Sequence, residues 1–321
     1  MLQAVITLQF DPTLDIGGRL VRWETLALAA VILVAIVLAG WLAGRANRSD
    51  DAIVAATPGA IPEARLRRDD LLYMVVGALP GAVIGGRLLH GLDFYDFYFN
   101  VDTPSALLDP ARGSLSLLGA VIGGTITAAY VGWLIGAPLR RWLDVAIVPL
   151  LVAISLGKFA NLLGGAGQGA ITDAPWAVAF AGGGPWRSLG ADLPAHPSQV
   201  YEGLWALAGI LVVGIFMAPL VWRHMPDRLR NRPRTEREAR LALRFNVRVE
   251  DLPPPGALSP GFLFGVGLWW WALGRVVVGF TWRDGRIVAG LGVEQIAALL
   301  VLVGLLLLLV RALLRRREYE Y

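Results

Sequence analysis

The sequence predicts an all-α integral membrane protein, built as a polytopic bundle of seven transmembrane helices. Of its 321 residues, 56% are apolar and 17% are charged, whereas an ordinary soluble domain has about 45–50% apolar and about 25% charged residues. Seven stretches are long and apolar enough to cross, or nearly cross, a hydrocarbon core about 30 Å thick. These spans, predicted to form a single transmembrane domain over residues 1–321, are 25–43, 71–90, 115–135, 145–156, 203–221, 261–278 and 293–314.

The spans differ in ways that indicate how the bundle is organised. No cleavable signal peptide is apparent before the first span, so we expect that span to be retained as an anchor. The second is interrupted by Pro80, and the third is rich in glycine and alanine. The fourth is short and runs into a segment with five glycines at 157–169. Because a broken backbone at membrane depth must be surrounded by protein or water, this segment predicts a polar cavity, with small-residue helix packing as the alternative.

The distribution of basic residues predicts the orientation of the bundle. With the N-terminus outside, 20 of the 29 basic residues fall in inner segments and seven in outer segments. Because basic residues concentrate in cytoplasmic loops, we expect an outside N-terminus, a cytoplasmic C-terminus and a basic cytoplasmic loop at 222–260. The same bias accounts for the net charge of +4 without a nucleic-acid partner.

The absence of cysteine excludes several kinds of chemistry. Disulfides, thiolate metal sites, iron–sulfur clusters and a covalent mechanism on the protein's own thiol are ruled out. The three histidines, His90, His196 and His224, are too few and too scattered for a metal cage. We therefore expect neither a metal ion nor another cofactor.

Cations at membrane depth are the first candidate functional residues, because burying a charge in a bilayer costs free energy unless the charge is paired or hydrated. Arg87, Lys158 and Arg275 lie in or beside the second, fourth and sixth spans. Arginine offers phosphate a bidentate fork and lysine a point charge, so the three predict a phosphate clamp, with Asn161 orienting the bound group. The alternatives are snorkelling for Arg87 and a purely structural role for the other two.

A polar segment with the sequence HPSQVYE leads into the fifth span at residues 196–202. His196 is a candidate proton acceptor near neutral pH, with Tyr201 and Glu202 as hydrogen-bonding partners. The spacing of Ser198, Tyr201 and Glu202 places them on one helix face. The alternative is a helix start that only caps, because proline and small polar residues are typical of a first turn.

Six segments with distinctive sequences follow one another along the chain: Asp11-Pro12, Gly86-Arg87, 115–124, 157–169, 196–202 and Gly274-Arg275. Together with the seven spans, they resemble the bacterial prolipoprotein diacylglyceryl transferases, whose HPSQLYE is close to the HPSQVYE found here. The resemblance implies transfer of a diacylglyceryl group from phosphatidylglycerol to the thiol of a lipobox cysteine in a lipoprotein precursor, with release of glycerol 1-phosphate. It implies phosphatidylglycerol, the prolipoprotein signal peptide and membrane lipids as partners, and the bacterial cytoplasmic (inner) membrane as the location.

The resemblance also implies roles for individual residues. Lys158, Asn161 and Gly169 fall at the arginine, asparagine and final glycine of a glycine-rich signature, and Arg275 falls at an arginine of the sixth span. His196, Lys158 and Arg275 are thereby predicted as catalytic residues. The predicted substrate-binding residues are Arg87, Asn161, Gly169, Ser198, Gln199, Tyr201 and Glu202.

Besides Lys158, which stands in place of an arginine, four positions depart from the family pattern. Leu118 stands in place of a histidine, and Ala166 and Gly279 stand in place of glutamates. Glu24 stands in place of a tyrosine. These departures leave two alternatives open: a non-catalytic or altered-specificity homologue that binds phospholipid or lipoprotein, and a transporter built around the broken fourth span.

Overall fold

Seven helices long and apolar enough to cross a membrane dominate the computed structural model, which confirms the predicted fold class. The structure describes residues 6–56, 64–101, 103, 105, 115–181, 189, 193–221, 260–283 and 285–318. The predicted cytoplasmic loop at 222–260 lies outside these residues, apart from its last one. The helices are α1 (Trp23–Ala56), α2 (Arg68–Asp93), α3 (Leu117–Leu134), α4 (Leu139–Gly164), α5 (Ser198–Val221), α6 (Phe262–Val278) and α7 (Val293–Glu318).

Helix α4 is longer than its apolar run and is not interrupted at Gly157. A single glycine inside a helix costs only about 1 kcal/mol relative to alanine, so neighbouring turns carry the helix past it. The helix ends where Gly165 adopts a left-handed conformation with φ of 67° and donates its N–H to the carbonyls of Asn161 and Leu162. Lys158 and Asn161 therefore project from the last turns of a continuous helix.

Glycines bring α2 and α3 into close contact. A Cβ atom added to Gly123 would lie 2.1 Å from the carbonyl oxygen of Gly81, and one added to Gly119 would lie 2.2 Å from that of Gly85. Helices in lipid gain little from the hydrophobic effect, and they associate instead through packing that small residues allow. The α2–α3 pair touches α1, α4 and α7.

The other five helices pack in the order α1, α4, α5, α6 and α7. The core between them includes Ile147 and Leu151 of α4, Val213 of α5 and Trp271 of α6. Two stacked indoles join α5 to α6, and their exchanged hydrogen bonds fix how the two helices approach each other. Trp205 donates its Nε1–H to the carbonyl of Trp270, and Trp270 donates to the carbonyl of Trp205, both at 2.8 Å.

Short strands at one end of the bundle were not anticipated from the sequence. Strand β1 (Ile6–Leu8) pairs in parallel with β4 (Val178–Phe180). Strands β2 (Thr13–Ile16) and β3 (Arg19–Arg22) form an antiparallel hairpin that leads directly into α1. This end of the bundle holds the start of α1 and the start of α5, next to the candidate site.

Candidate functional site

A cavity of about 430 Å³ lies within the bundle, a volume within the usual range for a small-molecule or lipid headgroup site. Helices α1, α2, α3, α4, α6 and α7 all contribute to its wall. Much of that wall is apolar, including Leu28 and Ile32 of α1 and Leu150 of α4. The polar lining consists of His90, Asp93, Ser116, Lys158, Asn161, Arg275, Trp282 and Glu294.

Four charged side chains on four different helices meet beside this cavity, and we call them the ion-pair cluster: Lys158, Glu202, Arg275 and Glu294. Glu202 of α5 binds both Lys158 of α4 and Arg275 of α6, and Arg275 also binds Glu294 of α7. Glu202 is only 3% exposed. An isolated buried ion costs several kcal/mol, and only close opposite charges offset that cost. The cluster therefore fixes the positions of both cations.

Trp282 covers the ion-pair cluster from the segment after α6. Its Nε1–H donates to Glu202 at 3.2 Å, and its ring centroid lies 4.8 Å from the Lys158 ammonium and 5.8 Å from the Arg275 guanidinium carbon. A cation over an indole face is attracted by the negative face of the ring. Trp282 could not be predicted from the sequence, because no local pattern indicates that it lies near α4 and α5.

The start of α5 packs closely against the 3₁₀ turn Gly279–Thr281, and we call this contact the joint. The hydroxyl of Ser198 lies 2.7 Å from that of Thr281. A Cβ atom at Gly169 would lie 2.1 Å from both the Ser198 hydroxyl oxygen and the Thr281 carbonyl oxygen, so only glycine fits there. Gln199, predicted alongside Ser198, is fully buried, and its side-chain amide has no hydrogen-bond partner within the described part of the chain.

His196 and Tyr201 contact each other away from the ion-pair cluster. The Nδ1 atom of His196 lies 3.3 Å from the Tyr201 hydroxyl oxygen, and that oxygen accepts a hydrogen bond of 2.6 Å from Trp176. The cavity wall includes His90, whereas His196 is not part of it. The predicted role of His196 as proton acceptor stays a prediction.

The structure thus assembles part of the predicted site. Lys158, Asn161 and Arg275 line one cavity, and Glu202 holds the two cations. Arg87 is 5% exposed and has partners of its own, but it does not belong to the cavity wall. Glu294 was not predicted from the sequence, because an acidic residue at the start of an apolar run is too common to indicate a site.

Three of the positions that depart from the family pattern are closely packed: Leu118, Gly279 and Glu24. Leu118 is fully buried in the core. A Cβ atom at Gly279 would lie 2.6 Å from the side chain of Gln295, so Gln295 occupies the space a larger residue would need. Glu24 is 4% exposed, and its carboxylate lies against Gly164 at the end of α4. No group of three histidine, aspartate or glutamate side chains among the described residues could hold a metal ion.

Comparison with known proteins gives one consistent match. Residues 12–229 match the family model described as "Prolipoprotein diacylglyceryl transferase". A protein of Rhizobium leguminosarum bv. trifolii named phosphatidylglycerol–prolipoprotein diacylglyceryl transferase is 30% identical over 272 residues, which cover 84% of this chain and 78% of the relative. Proteins with the same name are 31% identical in Rhizobium meliloti, over 67% of this chain and 70% of the relative, and 29% identical in Aliivibrio fischeri, over 80% and 72%.

Proposed function

This chain belongs to the prolipoprotein diacylglyceryl transferase family, and on that premise we propose that it transfers a diacylglyceryl group from phosphatidylglycerol to the cysteine thiol of lipoprotein precursors. The observation that carries the proposal is one apolar cavity of about 430 Å³ into which Lys158 and Arg275 both project. An apolar wall suits the glycerol backbone and the start of the acyl chains, and the cations suit the phosphate. It is a transferase that spans the membrane several times.

Lys158 and Arg275 supply the positive charge that the departing phosphate requires. Preorganised donors aimed at developing charge are usually the largest contribution to catalysis in a water-poor site. Glu202 and Trp282 hold both cations in place before substrate arrives, so little reorganisation is needed. Asn161, one helical turn beyond Lys158, orients the glycerol headgroup.

The remaining predicted residues support this site. Ser198 and Gly169 form the joint that positions Glu202 one turn further along α5. Gln199, Tyr201 and His196 belong to the same end of α5, where we expect the precursor's signal peptide to approach. Arg87, buried in α2, is expected to act on substrate only through its neighbours.

The reactive thiol comes from the substrate. The chain contains no cysteine, so the nucleophile is the lipobox cysteine of the precursor, which follows its signal peptide. The signal peptide is itself apolar and enters the site from within the bilayer. We place the protein in the bacterial inner membrane with its N-terminus outside, because the basic residues concentrate in the opposite loops.

The lack of cysteine also makes the orientation easy to test. Asp15→Cys lies in the exposed β2–β3 hairpin, and Arg232→Cys lies in the loop assigned to the cytoplasm. A membrane-impermeant maleimide added to intact spheroplasts should label only the first variant, whereas lysed cells should label both. If intact spheroplasts label only Arg232→Cys, the protein has the opposite orientation, with its N-terminus in the cytoplasm.

Activity is tested with the full chain reconstituted into phosphatidylglycerol vesicles with a lipoprotein precursor. We expect a thioether-linked diacylglyceryl product and one glycerol 1-phosphate for each product formed. Arg275→Ala should abolish product formation, whereas Arg65→Ala, at an arginine whose side chain is 68% exposed, should leave it unchanged. Binding of phosphatidylglycerol with no release of glycerol phosphate would instead support a non-catalytic homologue.

A further inference from the structure

His90 is the histidine that the cavity wall contains, and no part of the proposed function uses it. It lies near the end of α2 and is half-buried. Its ring packs against Phe94 at 4.6 Å and Tyr98 at 5.9 Å between centroids. These contacts hold the imidazole at the wall, while within the described part of the chain no hydrogen bond occupies its ring nitrogens.

The proposed reaction needs a proton acceptor at this cavity. A cysteine thiol has a pKa of about 8.5, so near pH 7 only a few per cent is present as the nucleophilic thiolate. A base inside the cavity is therefore required to remove the proton as the sulfur attacks.

Each of the other candidate bases facing the cavity either already binds a cation or is a weaker base than imidazole. Glu202 binds two cations, and Glu294 binds Arg275 and accepts a hydrogen bond from Ser116. Asp93 also faces the cavity, but an ordinary aspartate has a pKa of about 3.9, against about 6.5 for imidazole. By its chemistry the imidazole is the better acceptor of a thiol proton near neutral pH.

We propose that His90 is the general base that deprotonates the substrate thiol. The imidazole nitrogen takes the proton from the cysteine sulfur, and the sulfur forms a bond to the diacylglyceryl carbon that carries the phosphate. The bond between that carbon and the phosphate oxygen breaks, and its electron pair leaves with glycerol 1-phosphate beside Lys158 and Arg275. The proton on His90 then passes to the phosphate monoester or to solvent. The inference rests on the proposed function.

The charged groups around His90 suit this sequence of steps. Arg87 and Asp93 lie on its own helix, and Lys158, Arg275 and Glu294 face the cavity from α4, α6 and α7. Lys158 and Arg275 bind the phosphate, so the imidazole takes up a proton while negative charge leaves toward them. The base and the phosphate-binding cations thus act on opposite ends of the same substitution.

His90→Phe is the sharpest test, because phenylalanine keeps the ring packing on Phe94 and Tyr98 but has no basic nitrogen. His90→Gln serves as a second variant, and His224→Phe, in the loop assigned to the cytoplasm, is the matched control. Turnover in phosphatidylglycerol vesicles is measured from pH 6 to 9, together with phosphatidylglycerol binding and thermal unfolding of each variant. His196→Phe is tested as the rival base, and all five proteins, the unsubstituted chain included, are assayed in parallel.

For both His90 variants we expect turnover at pH 7 to fall about 10²–10⁴-fold with lipid binding retained. Their rates should rise about tenfold per pH unit up to the thiol pKa of about 8.5, whereas the unsubstituted chain levels off above the imidazole pKa. A folded His90→Phe with turnover within threefold of the unsubstituted chain would overturn the assignment. A pH-dependent loss of turnover in His196→Phe, with no such loss in the His90 variants, would also overturn the assignment. If the unsubstituted chain forms no product, the proposed function fails and this inference fails with it.

Discussion

Replacing Glu202 with glutamine tests whether the ion-pair cluster holds α4, α5 and α6 together. Glutamine has almost the same shape as glutamate, so the substitution removes charge and leaves packing nearly unchanged. The side chains of Lys158 and Arg275 are only 8% and 7% exposed, so bulk solvent compensates little for the lost carboxylate. The variant therefore isolates the electrostatic contribution of one carboxylate.

The magnitude follows from the loss of one buried carboxylate that two cations share. Arg275 keeps Glu294 as a partner, whereas Lys158 loses the carboxylate it shares with Arg275. Breaking a buried pair by removing one partner costs about 3–5 kcal/mol. Because one of the two cations stays paired, we expect the free energy of unfolding to fall by about 3–4 kcal/mol, which is roughly a 10²–10³-fold change in the unfolding equilibrium.

The assay is reversible unfolding in mild detergent micelles, followed by tryptophan fluorescence. Asp51→Asn is the control, because it breaks an ion pair with Arg65 in which the side chains are 60% and 68% exposed. That exposed pair should contribute less than about 1 kcal/mol. Adding Lys158→Met to Glu202→Gln should recover part of the loss, since it removes a buried charge that has lost the carboxylate of Glu202. A Glu202→Gln protein within about 1 kcal/mol of the unsubstituted chain would refute the argument.

Three further substitutions test the packing, the helix ends and the phosphate site. Gly274→Ala places a Cβ atom 2.3 Å from the Trp205 ring and should lower the free energy of unfolding by about 1–3 kcal/mol. The control Gly214→Ala, where a Cβ atom has nothing within 4 Å, should be neutral or stabilising, and equal effects of the two substitutions would contradict the packing of Gly274 on Trp205. Asp144→Ala removes the carboxylate that accepts backbone N–H groups at the start of α6 and should cost about 0.5–2 kcal/mol in the same unfolding assay; no change would rule out a capping role. Arg275→Lys keeps the charge but loses the planar fork that binds Glu202 and Glu294 together. The catalytic constant should therefore fall while phosphatidylglycerol binding weakens less, and unchanged turnover in the vesicle assay would show that the guanidinium geometry is not needed.

The spans and the buried cations could be predicted because each depends on the free energy of placing nearby residues in a bilayer. An apolar run of about 20 residues is required to cross a bilayer, and a charge within such a run is expensive wherever its partner lies. Lys158 and Arg275 are predicted on that basis, whereas Glu202 is predicted from the polar segment 196–202. Their pairing could not be predicted, since Glu202 and Arg275 are separated by 73 residues and lie on different helices.

The extent of α4 and the membership of the cavity wall depended on contacts between helices. The glycines at 157–169 predicted a broken span, but packing on both sides of α4 keeps the helix intact through Gly164. His90 and Glu294 carry no local signature, because a histidine or an acid near a helix end is common. Only the approach of α2 and α7 to the ion-pair cluster brings them to the same cavity as Lys158.

The sequence by itself determined that the chain crosses a membrane in seven helices, that it has no thiol of its own and that a few cations are buried in it. Those properties follow from composition and from the energy of placing each residue in lipid, which do not depend on neighbours far along the chain. The tertiary structure decided which charges pair, which side chains share the cavity and which histidine lines it. These depend on helix packing, since glycine contacts and stacked indoles set the distances between helices that are far apart in sequence.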